Sequence, residues 1–304
     1  MKSLLSLVPP FLYSVGNLLD KNLVHRYGYF AAPTIVAMSG LFGLLILIII
    51  GAWGDVATVP INSGLMMLLS GALTSLSVFF YLKALESDSV ISVAPALQVA
   101  PVVAFIFDIL FFQESFTLTQ VLGGVVVVVG AAVLTVRVEK IGGLNTFKPR
   151  TFILSSLSAL LLATSATIFK HFASDFDYWT VQFHEYIGVC LFSLFFLLLS
   201  KTLRLHIFEL LRTYKERKVF ILMNFATEMI MIAGDLFLNF VTLLIPITFV
   251  FSVNATQPAM LLALGLLITR LVPSFQNDLR AHLVNKKNIA MILLIVAGTA
   301  GMLF

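Results

Sequence analysis

The sequence predicts an all-α membrane protein of ten transmembrane helices, built as two five-helix repeats of inverted topology. Three observations lead there. Ten hydrophobic stretches fill nearly all of the 304 residues, they divide into two sets of five with matching punctuation, and the basic residues gather on one side of them. With 60% apolar residues, 11% charged residues and a mean hydropathy of +1.03, the chain has too few charges to shield a soluble core of this size. Lipid is the solvent this composition suits.

A hydrocarbon core of roughly 30 Å needs about 20 apolar helical residues. Windows of that length, bounded by charged or turn residues, run from Leu4 to Leu23, Ala31 to Trp53, Ser63 to Leu82, Ser89 to Phe112 and Leu118 to Val136. The second five run from Phe152 to Phe169, Tyr178 to Leu199, Val219 to Phe240, Leu244 to Thr269 and Ile289 to Phe304. The predicted organisation is a first repeat over 1–138, a cytoplasmic linker over 139–150 and a second repeat over 151–304.

The longest interruptions, Lys201 to Lys218 and Val272 to Lys287, are too short for a soluble catalytic domain. The first mixes Leu, Ile and Phe with basic residues, a pattern that suits either a short helix on the membrane surface or a solvated connector. The first apolar stretch leads straight into Asp20 and Lys21 with no small-residue cleavage site, so it reads as a span and not as a cleaved signal. The single cysteine, Cys190, falls inside a span and excludes an intramolecular disulfide or a cysteine cage for a metal. The net charge of +4 resides in loops and gives no reason to expect nucleic acid; no cofactor is implied.

Of the 19 Lys and Arg, all but Lys2 and Lys170 fall in the loops that follow odd-numbered spans. That bias predicts those loops in the cytoplasm and both termini outside, in a multi-pass protein of the cell (inner) membrane. An odd number of spans per half then inverts the second half relative to the first. Asn17 to Lys21 (NLLDK) ends span one and Ala166 to Lys170 (ATIFK) ends span six, an offset of 149. Pro101 and Pro258 sit at similar depth in spans four and nine.

The chain resembles the drug/metabolite transporter superfamily and, within it, the ten-span EamA-like carriers. Three segments carry the resemblance: GNLLDK (Gly16 to Lys21), the run from Tyr81 to Glu114 with its Ala94-Pro95 pair and Pro101, and the glycine-rich fifth span from Gly123 to Val136. It spans the whole chain with a diverged second half, where Arg270 stands near the repeat of Glu114. The resemblance implies carriage of amino acids, other small metabolites, nucleotide sugars or drugs, with a site between the halves and a lysine such as Lys21 or Lys170 at the cavity rim.

An ionisable group at membrane depth costs about 2.5–3.5 kcal/mol on insertion scales, so each one asks for a reason. Glu228 near the middle of span eight, Asp235 two turns on and Glu185 in span seven are the main candidates. Asn224, Glu228, Asp235 and Asn239 follow spacings of 4, 7 and 4 and share one helix face. Ser70, Thr74, Ser77 and Tyr81 do the same in span three, and a shift of 154 lays Ser70 on Asn224, Thr74 on Glu228 and Tyr81 on Asp235. Two such stripes are what facing walls of a central cavity look like. Asn17, Gln98, Asn254 and Gln257 join the set; the prolines free the carbonyls of Leu97 and Asn254 beside the two glutamines.

Bland readings stand beside these. Serines and threonines in lipid helices often satisfy their own backbone and serve packing. Lys21 and Lys170 end their helices and can simply snorkel. Asp108 reads as an interfacial anchor, the 28 Phe as mostly lipid-facing, and Gly123, Gly124, Gly130, Gly298 and Gly301 as sites of close helix contact within or between protomers.

Buried carboxyls without basic partners favour their protonated form. They can carry a proton or balance an amine on a substrate. The expectation is a secondary carrier of a small polar metabolite, amino acid or amine-like, working by alternating access in the export direction with proton coupling. The alternative is an exporter of drugs or lipophilic cations. A phosphate or nucleotide-sugar substrate would need midplane Arg or Lys. A membrane enzyme would need a compact His, Asp or Ser constellation, yet His184 alone of the five His lies in a span; a channel subunit has no use for the two-half symmetry. The expected partners are substrate, protons and the bilayer, in a monomer or a homodimer.

Overall fold

The computed structural model describes residues 5–27, 31–87, 90, 93, 96–135, 139–141, 144–146, 149–271 and 286–303. The Ala94-Pro95 pair and most of the loop between Val272 and Lys287 lie outside them. In the first half the helices are α1 (Val8–Tyr27), α2 (Ala31–Trp53), α3 (Ile61–Ser87), α4 (Ala100–Phe112) and α5 (Leu118–Thr135). A short antiparallel ribbon pairs β1 (Glu139–Ile141) with β2 (Leu144–Thr146). The second half holds α6 (Pro149–Phe172), α7 (Tyr178–Leu199), α8 (Lys201–Arg212), α9 (Tyr214–Thr242), α10 (Ile247–Asn254), α11 (Gln257–Leu271) and α12 (Lys286–Leu303).

The architecture is helical and multi-pass. Six helical stretches are long and apolar enough to cross a membrane: α2, α3, α6, α7, α9 and the run from Ile247 to Gly265; shorter apolar helices occupy Leu97–Phe112, Leu118–Val127 and Ala290–Met302. Their outer faces are aliphatic, with Ile48, Leu110, Leu198, Leu222 and Leu293 among the most exposed, the surface an integral membrane protein turns to lipid.

The spans differ from expectation where polar residues blur their ends. Helix α1 runs on to Tyr27, four residues past Leu23, so Asp20 and Lys21 fall inside the helix and not at its rim. Helix α7 has its expected bounds because Asp177 accepts a hydrogen bond from the Trp179 amide at 2.8 Å, a fixed start. The Lys201 to Lys218 interruption forms α8, capped by Ser200 on the Leu203 amide at 3.2 Å.

The predicted ninth span is broken in two: α10 stops at Asn254 and α11 restarts at Gln257, with Pro258 in its first turn. Pro101 likewise occupies the first turn of α4, after the 3₁₀ turn Leu97–Val99. Proline costs little there because the first-turn amides have no helical partner. One expectation is corrected: the Leu97 carbonyl is not free, since the Ala100 amide donates to it.

Each helix of the first half packs on one from the second. Helix α1 lies on α9, α2 on α7, α3 on both α6 and α7, α4 on α10, and α5 on α12. A Cβ added at Gly71 would overlap the Glu185 carbonyl oxygen, and one at Gly188 would overlap that of Leu68, so α3 and α7 touch backbone to backbone. Gly123 and Gly298 do the same for α5 and α12 at 2.7–2.8 Å within one chain, whereas Gly301 has nothing nearer than 3.7 Å. Hydroxyls fasten α3 to α6: Ser77 Oγ donates to the Ser158 carbonyl at 2.8 Å, and Ser70 Oγ meets Ser165 Oγ at 2.8 Å. The phenylalanines divide between the outer face and the helix contacts. Among the described residues Phe11, Phe111, Phe195, Phe208, Phe237 and Phe240 are exposed; Phe169, Phe220 and Phe251 are buried and many others pack edge to face.

Candidate functional site

Two chambers lie between the halves and share one wall. The first, ≈ 550 Å³, is lined from α2, α3, α7 and α9 by residues that include Ser39, Gln182, Glu185, Tyr186 and Asn239. The second, ≈ 920 Å³, is lined from α1, α3, α4, α6, α9 and the α10/α11 break by residues that include Tyr13, Asn17, Asp20, Tyr81, Asn254 and Gln257. Thr74, Val78, Glu228 and Asp235 line both.

Glu185 is the most heavily bonded of the carboxyls. Its Oε2 accepts from Asn239 Nδ2 at 3.0 Å, and its Oε1 lies 3.3 Å from the hydroxyls of Ser70, Thr74 and Ser165. Those hydroxyls have other acceptors within reach, the carbonyls of Ser70 and Ser165. The acid and the backbone thus compete for the same three hydroxyls at the seam between α3 and α6.

Asp235 accepts from Tyr13 OH at 2.6 Å, which joins α9 to α1. Glu228 is half-buried and faces both chambers. Tyr81 OH donates to Asn17 Oδ1 at 2.7 Å, and Asn17 Nδ2 and Asn254 Oδ1 are buried without a hydrogen-bond partner. No Lys, Arg or His lines either chamber among the described residues.

Nine of the candidate residues read from the sequence meet around this space: Glu228, Asp235, Glu185, Thr74, Tyr81, Asn17, Gln98, Asn254 and Gln257. Three stand apart. Asn224 is buried with neither side-chain atom bonded and lines neither chamber. Lys21 Nζ donates to the Leu85 carbonyl at 3.0 Å. Lys170 sits 4.0 Å from Asp108 and over the Phe112 ring at 4.7 Å. Asp108 itself is no interfacial anchor: it is fully buried and caps α10, accepting from the Thr248 amide at 2.7 Å and its hydroxyl at 2.6 Å.

Sequence reasoning missed Asp20, Tyr13, Ser165 and Gln182. Asp20 shares the α1 face of Tyr13 and Asn17 at spacings of 4 and 3, and that periodicity was the signal available.

The fold and the chambers define a helical, multi-pass integral membrane protein with an acidic, partly apolar cavity between its halves. Residues 2–136 match the EamA-like transporter family, which bears out the resemblance carried by Gly16–Lys21 and Tyr81–Glu114. An "Uncharacterized transporter" of Clostridium kluyveri is 23% identical over 129 residues, a stretch that covers 42% of this chain and 42% of that relative. A protein of known crystal structure, 16% identical, superimposes over 99% of this chain and 95% of its own with a TM-score of 0.62, a likeness of fold.

Proposed function

We propose that this protein is a secondary carrier with ten membrane-crossing segments in two inverted five-helix halves, moving a small polar metabolite by alternating access. The observation that carries the reading is the shared wall of the two chambers. Thr74 and Glu228, its polar centre, are the positions that a 154-residue shift lays on each other. Helix pairing supports it further: α1 with α9 and α6 with α3 exchange under the same relation, while α2 with α7 and α5 with α12 map onto themselves.

The substrate carries an amino or other cationic group, because the chamber acids have no basic side chain among them to balance. Glu228 and Asp235 load and release protons, which couples export to the proton gradient. Both termini are non-cytoplasmic in the cell membrane, following the basic loops. The test is flux in proteoliposomes under an imposed pH gradient, with a reporter fused after Phe304 read for its side. Uphill transport unchanged in Glu228→Gln would remove the proton role; no flux of any amine or amino acid would sink the carrier.

Apolar lining at Leu97, Leu162, Met231 and Phe251 favours one second reading, an exporter of lipophilic cations. Competition of a hydrophobic cation with an amine substrate distinguishes the two.

A further inference from the structure

Resting on the carrier reading, we infer that the second chamber takes a linear organic dication, a diamine or polyamine, with one ammonium between Asp20 and Glu228 and the other at Asp235.

The register of α1 against α9 sets the geometry. Tyr13 faces Gly234 and bonds Asp235, and Gly16 lies against Met231, so the antiparallel pairing brings Asp20 opposite Glu228. Asp20 is 4% exposed, lines the chamber and has no side-chain hydrogen bond among the described residues; its neighbour Lys21 is engaged at the Leu85 carbonyl. Two carboxyls facing each other with no cation between them repel when both are ionised, and a positively charged guest removes that cost. The third acid, Asp235, stands seven residues along α9 from Glu228, about 10 Å of helix.

That separation selects the class. An extended chain advances about 1.2 Å per bond, so roughly five to eight bonds between ammonium groups reach from one carboxyl position to the other. The stretch between is apolar, with Val78, Leu162, Met231 and Phe251 available to methylenes. Asn254 Oδ1, buried and unpartnered in the same chamber, is an acceptor that an N–H of the guest can satisfy and a quaternary ammonium cannot. A zwitterion fits less well. Its carboxylate would find Asn17 Nδ2 as an unpartnered neutral donor and three carboxyls around it.

The test uses the full chain purified in detergent, with 1,7-diaminoheptane and spermidine against heptylamine and choline, read by thermal shift and by calorimetry. The diamine and spermidine should bind roughly tenfold tighter than heptylamine. Asp235→Asn, nearly isosteric, should bring the diamine and spermidine down to the affinity of heptylamine by removing the second carboxyl. Asp20→Asn and Glu228→Gln, at the other end, should weaken all the amines together. Equal binding of heptylamine and the diamine, or a diamine preference that survives Asp235→Asn, overturns the dication site. Flux in proteoliposomes separates this from the carrier reading: monoamine flux with no diamine preference sinks the site alone, and diamine binding without flux of any cation sinks the carrier while upholding the site.

Discussion

Tyr13 donates its phenolic hydrogen to Asp235 at 2.6 Å across 222 residues of sequence, and so latches α1 to α9 at the chamber wall. The bond satisfies a carboxyl that has no cation beside it among the residues lining the two chambers. Gly234 makes room for the ring, since a Cβ there would sit 2.8 Å from the Tyr13 ring. Tyr13→Phe keeps the packing and removes the donor. The expected cost is about 1–3 kcal/mol of stability, measured as a lowered denaturation midpoint in detergent. An unchanged midpoint would mean that cavity water replaces the phenol in full.

Glu185 predicts an asymmetry between two substitutions. In Glu185→Gln the amide can give its oxygen to Asn239 and its two hydrogens to two of the hydroxyls of Ser70, Thr74 and Ser165, which also accept, while the third keeps a backbone carbonyl. That variant should fold with near-normal stability. Glu185→Ala leaves Asn239 Nδ2 without its acceptor while the three hydroxyls fall back on backbone carbonyls, so the loss should be about 1–3 kcal/mol plus a packing term. Equal melting temperatures for the two variants would show that the network contributes nothing.

What the sequence made legible followed from periodicity. The stripe on α9 turned Glu228 and Asp235 to the chambers and Asn239 to Glu185, because a period of 3.6 survives in lipid as it does in water. Asn224 shares that stripe yet lies beyond the cavity: spacing fixes a face and says nothing of how far along the helix the cavity extends. Asp20 was hidden for the converse reason. A charge near a predicted span end reads as a rim residue, and only the continuation of α1 to Tyr27 brings it inside. Ser165 was invisible because a hydroxyl that bonds a partner helix and one that bonds its own turn look alike in sequence. The backbone contact at Gly188 belongs to the same class, since His184 and Phe192 stand four residues to either side of it, whereas Gly71, with Ser75 four residues on, did carry a small-residue signal.

Those two glycines carry their own prediction. Alanine at Gly71 meets the Glu185 carbonyl and the Val189 amide nitrogen, and alanine at Gly188 meets the Leu68 backbone, so in both cases the obstacle is main chain that cannot rotate away. Overpacking of this kind costs about 1–3 kcal/mol or more, and α3 must part from α7 to relieve it. Gly301→Ala is the control, with its nearest atom at 3.7 Å. Size-exclusion profiles and melting temperatures should fall for Gly71→Ala and Gly188→Ala and hold for Gly301→Ala. A stable Gly71→Ala protein would refute the close contact of α3 and α7.

Solvent access tests the chambers most directly. With Cys190 replaced by serine, single cysteines at Thr74, Tyr81 and Glu228 should react with a water-soluble thiol reagent, because each position lines a chamber. A cysteine at Asn224 should stay unreactive: that residue is 1% exposed and lines neither chamber, although it lies on the same helical stripe. Leu222, on the lipid face, should be silent to the charged reagent and open to a membrane-permeant one. An amine substrate should slow the reaction at Tyr81 and at Thr74, both of which line the second chamber. Reaction at Asn224 as fast as at Glu228 would mean that the aqueous path runs along the whole stripe, and the boundary drawn between the polar residues that line the cavity and those that pack the helices would have to move towards the start of α9.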